Sequence, residues 1–111
     1  MGISKTDYSA SVGSTEYFFG AASTTYAGLT TDCVAQWLVD LENMAAGDRY
    51  EFTAYEVVNG TRKALCRIEV DGARDKHLLF PAFTVTDGYD LGAKKLAGTD
   101  RTIKASLRTV S

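Results

Sequence analysis

Apolar residues recur at every second position along most of this chain. The cleanest run lies near its end, where Ile103, Ala105 and Leu107 alternate with Thr102, Lys104, Ser106 and Arg108. A period of two belongs to an extended strand with one face on a core and the other, here basic, toward solvent. Cys66, Ile68 and Val70 repeat the pattern, as do Trp37, Val39 and Leu41 opposite Gln36, Leu38 and Asp40. Tyr50, Phe52 and Ala54 supply a fourth apolar face. Asn59-Gly60 separates two such runs, and both residues accept the positive φ of a type I′ turn, so a hairpin is expected there. The pattern places strands over about residues 4–12, 15–21, 33–41, 48–58, 61–71, 77–86, 89–96 and 102–110. A long loop over 22–32 is expected between the second and third, and one helical turn at most near Glu42–Ala46. About eight short strands at this spacing predict an all-β protein, an antiparallel β-sandwich of Ig-like or jelly-roll-like form.

With 111 residues the chain makes one domain over 1–111, in which residues 1–7 read as an extended N-terminal arm. A hydrophobic content of 45% is enough for one core without staples. The spacing Met44-x-x-Gly47-x-x-Tyr50-x-Phe52-x-Ala54 resembles the tyrosine corner of immunoglobulin-like and fibronectin-type sandwiches. There a tyrosine hydroxyl bonds a backbone group a few residues upstream. A formal net charge of -2 argues against an electrostatic nucleic-acid binder. No apolar run approaches the roughly 20 residues of a membrane span, and Met1-Gly-Ile-Ser-Lys-Thr-Asp7 has no apolar core of the kind a secretion signal needs, so no export is expected. Cys33 and Cys66 are accordingly expected as two reduced thiols packed as small apolar side chains.

Candidate chemistry is sparse, and no cofactor or metal is expected. A nucleophilic mechanism would run through His77, but no Gly-x-Ser-x-Gly elbow or cysteine signature frames a nucleophile. Asp87-Gly-Tyr-Asp90 and Asp71-Gly-Ala-Arg-Asp75 lack the spaced oxygens of a calcium loop and read as turn aspartates. Glu51 and Glu69, on polar positions of neighbouring strands, read as cross-strand partners of Arg67 and Lys63 rather than as a hydrolytic pair. The chain is therefore expected not to be an enzyme. Basic residues gather late: Lys94, Lys95, Arg101, Lys104 and Arg108. They are either a solvated face or a patch that docks on an acidic protein partner, with the Lys94-Lys95 strand placed beside Lys104 and Arg108. Tyr8, Tyr17, Phe18, Phe19 and Tyr26 crowd the first quarter as core or as an oligomer contact.

Several segments follow one another in a distinctive order. They are Thr15-Glu-Tyr-Phe18, Leu41-x-x-Met-Ala-Ala-Gly-Asp48, Tyr50-Glu-Phe52, Tyr55-Glu56, Gly88-Tyr-Asp-Leu91, Lys95-Leu-Ala-Gly-Thr-Asp-Arg-Thr-Ile103 and Ser106-Leu-Arg-Thr-Val110. In that order they resemble a group of small virion-associated proteins of tailed bacteriophages, encoded beside the major capsid protein. The resemblance implies a virion structural protein, most simply a capsid decoration (cement) protein on the capsid exterior. Its implied partner is the major capsid protein, and its implied state is a homo-oligomer, a trimer among the options. A second expectation is a tail or fibre module that recognises host glycan, with Tyr55, Tyr89 or Trp37 stacking on a sugar.

Overall fold

A computed structural model describes residues 2–72, 77–86 and 88–110 of the chain. Its strands are β1 (Ile3–Val12), β2 (Tyr17–Phe18), β3 (Cys33–Asp40), β4 (Arg49–Val58), β5 (Thr61–Asp71), β6 (Leu78–Leu79), β7 (Phe83–Val85), β8 (Tyr89–Ala97) and β9 (Arg101–Val110). All pair antiparallel, in two sheets. The first runs β1-β9-β3-β6, with β7 also on β3, and the second runs β2-β8-β4-β5. The chain changes sheet at nearly every connection; only the β4–β5 hairpin and the β6–β7 break stay within one sheet. This strand order is that of a jelly roll. Among the two expected forms of sandwich, the immunoglobulin-like one is excluded by the order.

The described residues hold nine strands rather than eight because the expected 77–86 strand is broken. Pro81 lies in the gap, where it has no amide to give to a ladder. Phe80 instead donates its amide to Trp37 O (3.0 Å) and buries its ring. The expected 15–21 strand shrinks to Tyr17–Phe18, after which Ala22 and Ser23 turn back on Phe19 and Phe18. No helical turn forms at Glu42–Ala46; two tight turns stand there, closed by Met44 N to Leu41 O and Asp48 N to Ala45 O, both 3.1 Å. Residues 3–7 are not an arm. They form the first half of β1 and pair residue by residue with β9.

The core fills the space between the sheets. Val12, Trp37, Val39, Ile103 and Leu107 enter from the first sheet, and Tyr50, Phe52, Ala54, Leu91 and Ala93 from the second. These are the apolar faces that the alternation marked. Asn59 (φ 53°) and Gly60 (φ 77°) make the expected hairpin turn between β4 and β5. Cys33 on β3 and Cys66 on β5 are free and half-buried, one on each sheet. The aromatics of the first quarter join the interior: Phe19 is fully buried, and Tyr8 packs on Trp37 with ring centroids 5.9 Å apart. Removing the Phe52 ring from this layer leaves a cavity. Phe52→Ala is expected to cost about 3–5 kcal/mol in urea unfolding, against under about 0.5 kcal/mol for Lys94→Ala at the surface.

Candidate functional site: the outer face of the first sheet

Two junctions decide which faces are open. The first joins the β3–β4 and β8–β9 connections, where the chain changes sheet twice. Asp48 is buried at the end of the β3–β4 turn. One oxygen of its carboxylate accepts the Thr99 amide (3.0 Å), and the other accepts the Ala45 amide (2.9 Å) and Arg101 Nε (2.8 Å). Gly98 (φ 94°) lies so close that a Cβ there would run into Asp48. Two residues on, the Tyr50 hydroxyl donates to Thr99 O (2.8 Å) and accepts the Arg101 amide (2.8 Å), with Val12 O at 3.2 Å. The resemblance to a tyrosine corner therefore fails in its geometry. This tyrosine reaches backbone far along the chain, across a change of sheet, and not a few residues upstream.

The second junction covers part of the outer face of the second sheet, beside β2 and the start of β8. Asp90, fully buried on β8, accepts the amides of Gly20 (2.7 Å), Ala21 (3.0 Å) and Leu91 (2.7 Å). Burial raises the pKa of its carboxyl despite these three donors, which work to lower it. The 22–32 loop is pinned on the same face by Leu29 N to Tyr89 O and Gly88 N to Leu29 O, both 2.7 Å. Phe18, Tyr26 and Tyr55 stack edge to face beneath it, at centroid distances of 5.1 to 6.0 Å. The Arg62 guanidinium lies over all three rings at 4.8 to 5.3 Å. The Tyr26 hydroxyl donates to Gly88 O, and burial with the nearby Asp90 charge pushes its pKa up to about 12.

The outer face of the first sheet is open and concave. Asp7, Tyr8 and Ser9 of β1, Leu38 and Asp40 of β3, Lys104 to Ser106 and Arg108 of β9, and His77 line a depression of about 390 Å³. Its charges are of both signs and mostly paired: Lys5 with Asp7 (3.4 Å), Lys104 with Glu42 (3.1 Å), and His77 Nδ1 with Asp40 (3.6 Å). The Glu42 carboxylate raises the pKa of Lys104 through their hydrogen bond. Arg108 has no ion-pair partner among the described residues. Ser106, which alternation places outward, does face this side but is buried in the floor. Its hydroxyl lies beside the Asp7 carboxylate, directly across the β1–β9 ladder, and is the first cause of that carboxyl's lowered pKa.

Of the five basic residues marked in the sequence, only Lys104 and Arg108 share this face. Lys94 and Lys95 lie on β8 in the opposite sheet, because the Ala97-to-Asp100 turn crosses between sheets instead of closing a hairpin. Lys95 pairs with Asp100 (2.5 Å) and Arg101 with the buried Asp48, so both serve the crossover. Arg67 pairs with Glu51 (3.6 Å) as expected, but Glu69 takes Arg49 (2.5 Å) in place of Lys63. Trp37, Tyr55 and Tyr89 are all buried and offer no platform to a sugar. Asp90 holds backbone amides rather than a cation, while Asp87 and Asp75 lie outside the described residues. Among the described residues no group of three His, Cys, Asp or Glu side chains is placed to hold a metal.

No protein-family model matches the chain, and no curated protein matches it. Solved structures that share its fold include the following two. One is a chain from Bacillus endospore appendages, described as a family of disulfide-linked pili (13% identity, TM-score 0.57, covering 99% of this chain and 88% of that one). The other is the Yersinia pseudotuberculosis-derived mitogen (13% identity, TM-score 0.55, covering 97% and 86%). At such identity the likeness extends to the fold alone.

The Asp48 junction has a pH signature. Its carboxyl is held down to about 2 from an ordinary 3.8, first by the Thr99 and Ala45 amides and then by Arg101. A carboxyl depressed in the folded state stabilises above its unfolded pKa and loses that contribution as pH falls toward its folded pKa. The melting temperature is therefore expected to fall between about pH 4 and pH 2. Asp48→Asn should melt below the parent at pH 7 and converge on it near pH 2. Parallel curves would show that this carboxylate is not held as described.

Proposed function

We propose that this protein is a non-enzymatic structural component of a repeating assembly, and specifically a decoration protein on the outside of a tailed-bacteriophage head. It docks on the major capsid protein through the outer face of the first sheet. The observation that carries this reading is the position of β9. The segment with the most specific resemblance to phage virion proteins, Lys95 to Val110, contains that strand, and its outward residues Lys104, Ser106 and Arg108 line the open depression. The rest of the surface fits the same reading. The loop around Asp90 covers part of the outer face of the second sheet, and the charges exposed on the rest of it are paired with one another, Arg67 with Glu51 and Arg49 with Glu69.

A face with charges of both signs suits register and specificity more than tight single-site binding. Arg108, without an ion-pair partner of its own among the described residues, is suited to an acidic group on the shell. Affinity then comes from many equivalent sites, and binding only the assembled shell stabilises that shell by mass action. The endospore appendage chain supports the reading to this extent: it is a protein of this fold from appendages described as disulfide-linked pili. The glycan-binding alternative loses its stacking residues to the core.

Mass spectrometry of purified particles should find this chain at a copy number comparable with the major capsid protein. Fewer than a handful of copies per particle would end the reading. In co-sedimentation with undecorated shells, Arg108→Glu should weaken binding at least tenfold, about 1.4 kcal/mol, while Lys94→Glu on the other sheet leaves it unchanged.

A further inference from the structure

Each sheet of a jelly roll has two edges, and the four here differ. β2 is two residues long, and β6 and β7 together hold five residues interrupted at Pro81. β5 is long, but its pairing with β4 shifts register at Ala54/Tyr55, and Arg62, Lys63, Arg67, Glu69 and Asp71 line it. Short length, bulges and charge are the usual protections against edge-to-edge pairing. β1 lacks most of them: it runs ten residues without proline, glycine or bulge and pairs with β9 at every position. Its other side is open. Among the described residues, the backbone of Ile3 to Ser11 makes no hydrogen bond outside its ladder with β9. Ile3, 76% exposed, is the most exposed large apolar residue of the described chain and lies on this strand.

We propose that β1 pairs antiparallel with β1 of a second copy about a two-fold axis, joining the first sheets of two subunits into one continuous sheet. The charges of β1 select the register. With the axis at Thr6, Lys5 faces Asp7 of the second copy and Asp7 faces its Lys5, giving two opposite-charge pairs on one face. Side-chain alternation and two-fold symmetry allow slips of the axis only by whole residues along the strand. An axis at Lys5 sets the two Lys5 side chains against each other, and one at Asp7 sets the two Asp7 side chains against each other. Like charges directly opposite are destabilising. Within the subunit Lys5 already lies opposite Arg108, a like-charge neighbour across the β1–β9 ladder. Asp7 of the same chain already offsets part of that repulsion (3.4 Å from Lys5), and Asp7 of the second copy adds a further carboxylate on the other side. A single edge contact is small beside a standard interface, so the dimer forms reversibly and gains from the multivalency of an assembly.

This pairing deepens the reading as a homo-oligomeric surface protein, but its test needs no shell and can fail separately from that reading. Sedimentation of the isolated chain across a hundredfold concentration range should show monomer passing to dimer. Lys5→Glu or Asp7→Lys alone should abolish the shift, because each sets like charges opposite. The double variant, Lys5→Glu with Asp7→Lys, should restore it. Both changes are on exposed side chains, and circular dichroism checks that each of the three variants keeps its β spectrum. A chain that stays monomeric throughout, forms trimers, or dimerises equally in all three variants would overturn the proposal. So would restoration of pairing only by an added heterologous strand peptide.

Discussion

The fold depends on a constraint at one end of the sandwich, where two changes of sheet are bonded to each other. The β3–β4 connection leaves the first sheet and the β8–β9 connection returns to it. Asp48 and Tyr50 on the first hold Thr99 and Arg101 on the second. A jelly roll has few hairpins within a sheet, so its strands do not register themselves locally. Something must tell β9 where to begin relative to β4. Here a buried carboxylate and a phenol do so by bonding backbone groups of the two turns directly. Once β9 is placed, β1 and β3 align on either side of it, and the apolar faces meet across the core.

The same constraint divides the surface by function. Arg101 and Lys95, two of the basic residues near the turn, are used in closing it and are not presented to a partner. The second sheet gives part of its outer face to the loop that Asp90 and the Phe18–Tyr26–Tyr55 cluster hold down, and the rest to paired charges. The first sheet keeps an open face and an open edge side by side. A face that docks and an edge that pairs are the two kinds of contact a subunit of a surface lattice needs.

The sandwich was legible because burial on one side imposes period two. Ile103, Leu107, Trp37, Val39 and Phe52 could be assigned to the core with no knowledge of their partners. Asn59-Gly60 was legible because its turn is set by two residues alone. The break in the expected 77–86 strand was missed, although Pro81 carries its cause. The crossover was not legible, because Ala97-Gly-Thr-Asp100 reads identically whether it closes a hairpin in one sheet or passes between two. That ambiguity put Lys94 and Lys95 on the wrong side of the molecule relative to Lys104 and Arg108. Tyr50 was marked as special for its spacing, but its partners, Thr99 and Arg101, are about fifty residues away, and nothing local could name them. Ser106 obeyed its alternation and is still buried, since a concave outer face can hide a small side chain.

The central claim is that Asp48 and Tyr50 act together on one crossover. A double-mutant cycle on unfolding free energy at neutral pH, with Asp48→Asn and Tyr50→Phe, tests it directly. Both single variants should lose stability, and the double variant should lose clearly less than their sum, because either change alone already frees the Thr99–Arg101 segment. Strict additivity would mean that the two side chains stabilise separate parts of the molecule and that the crossover is not held as described.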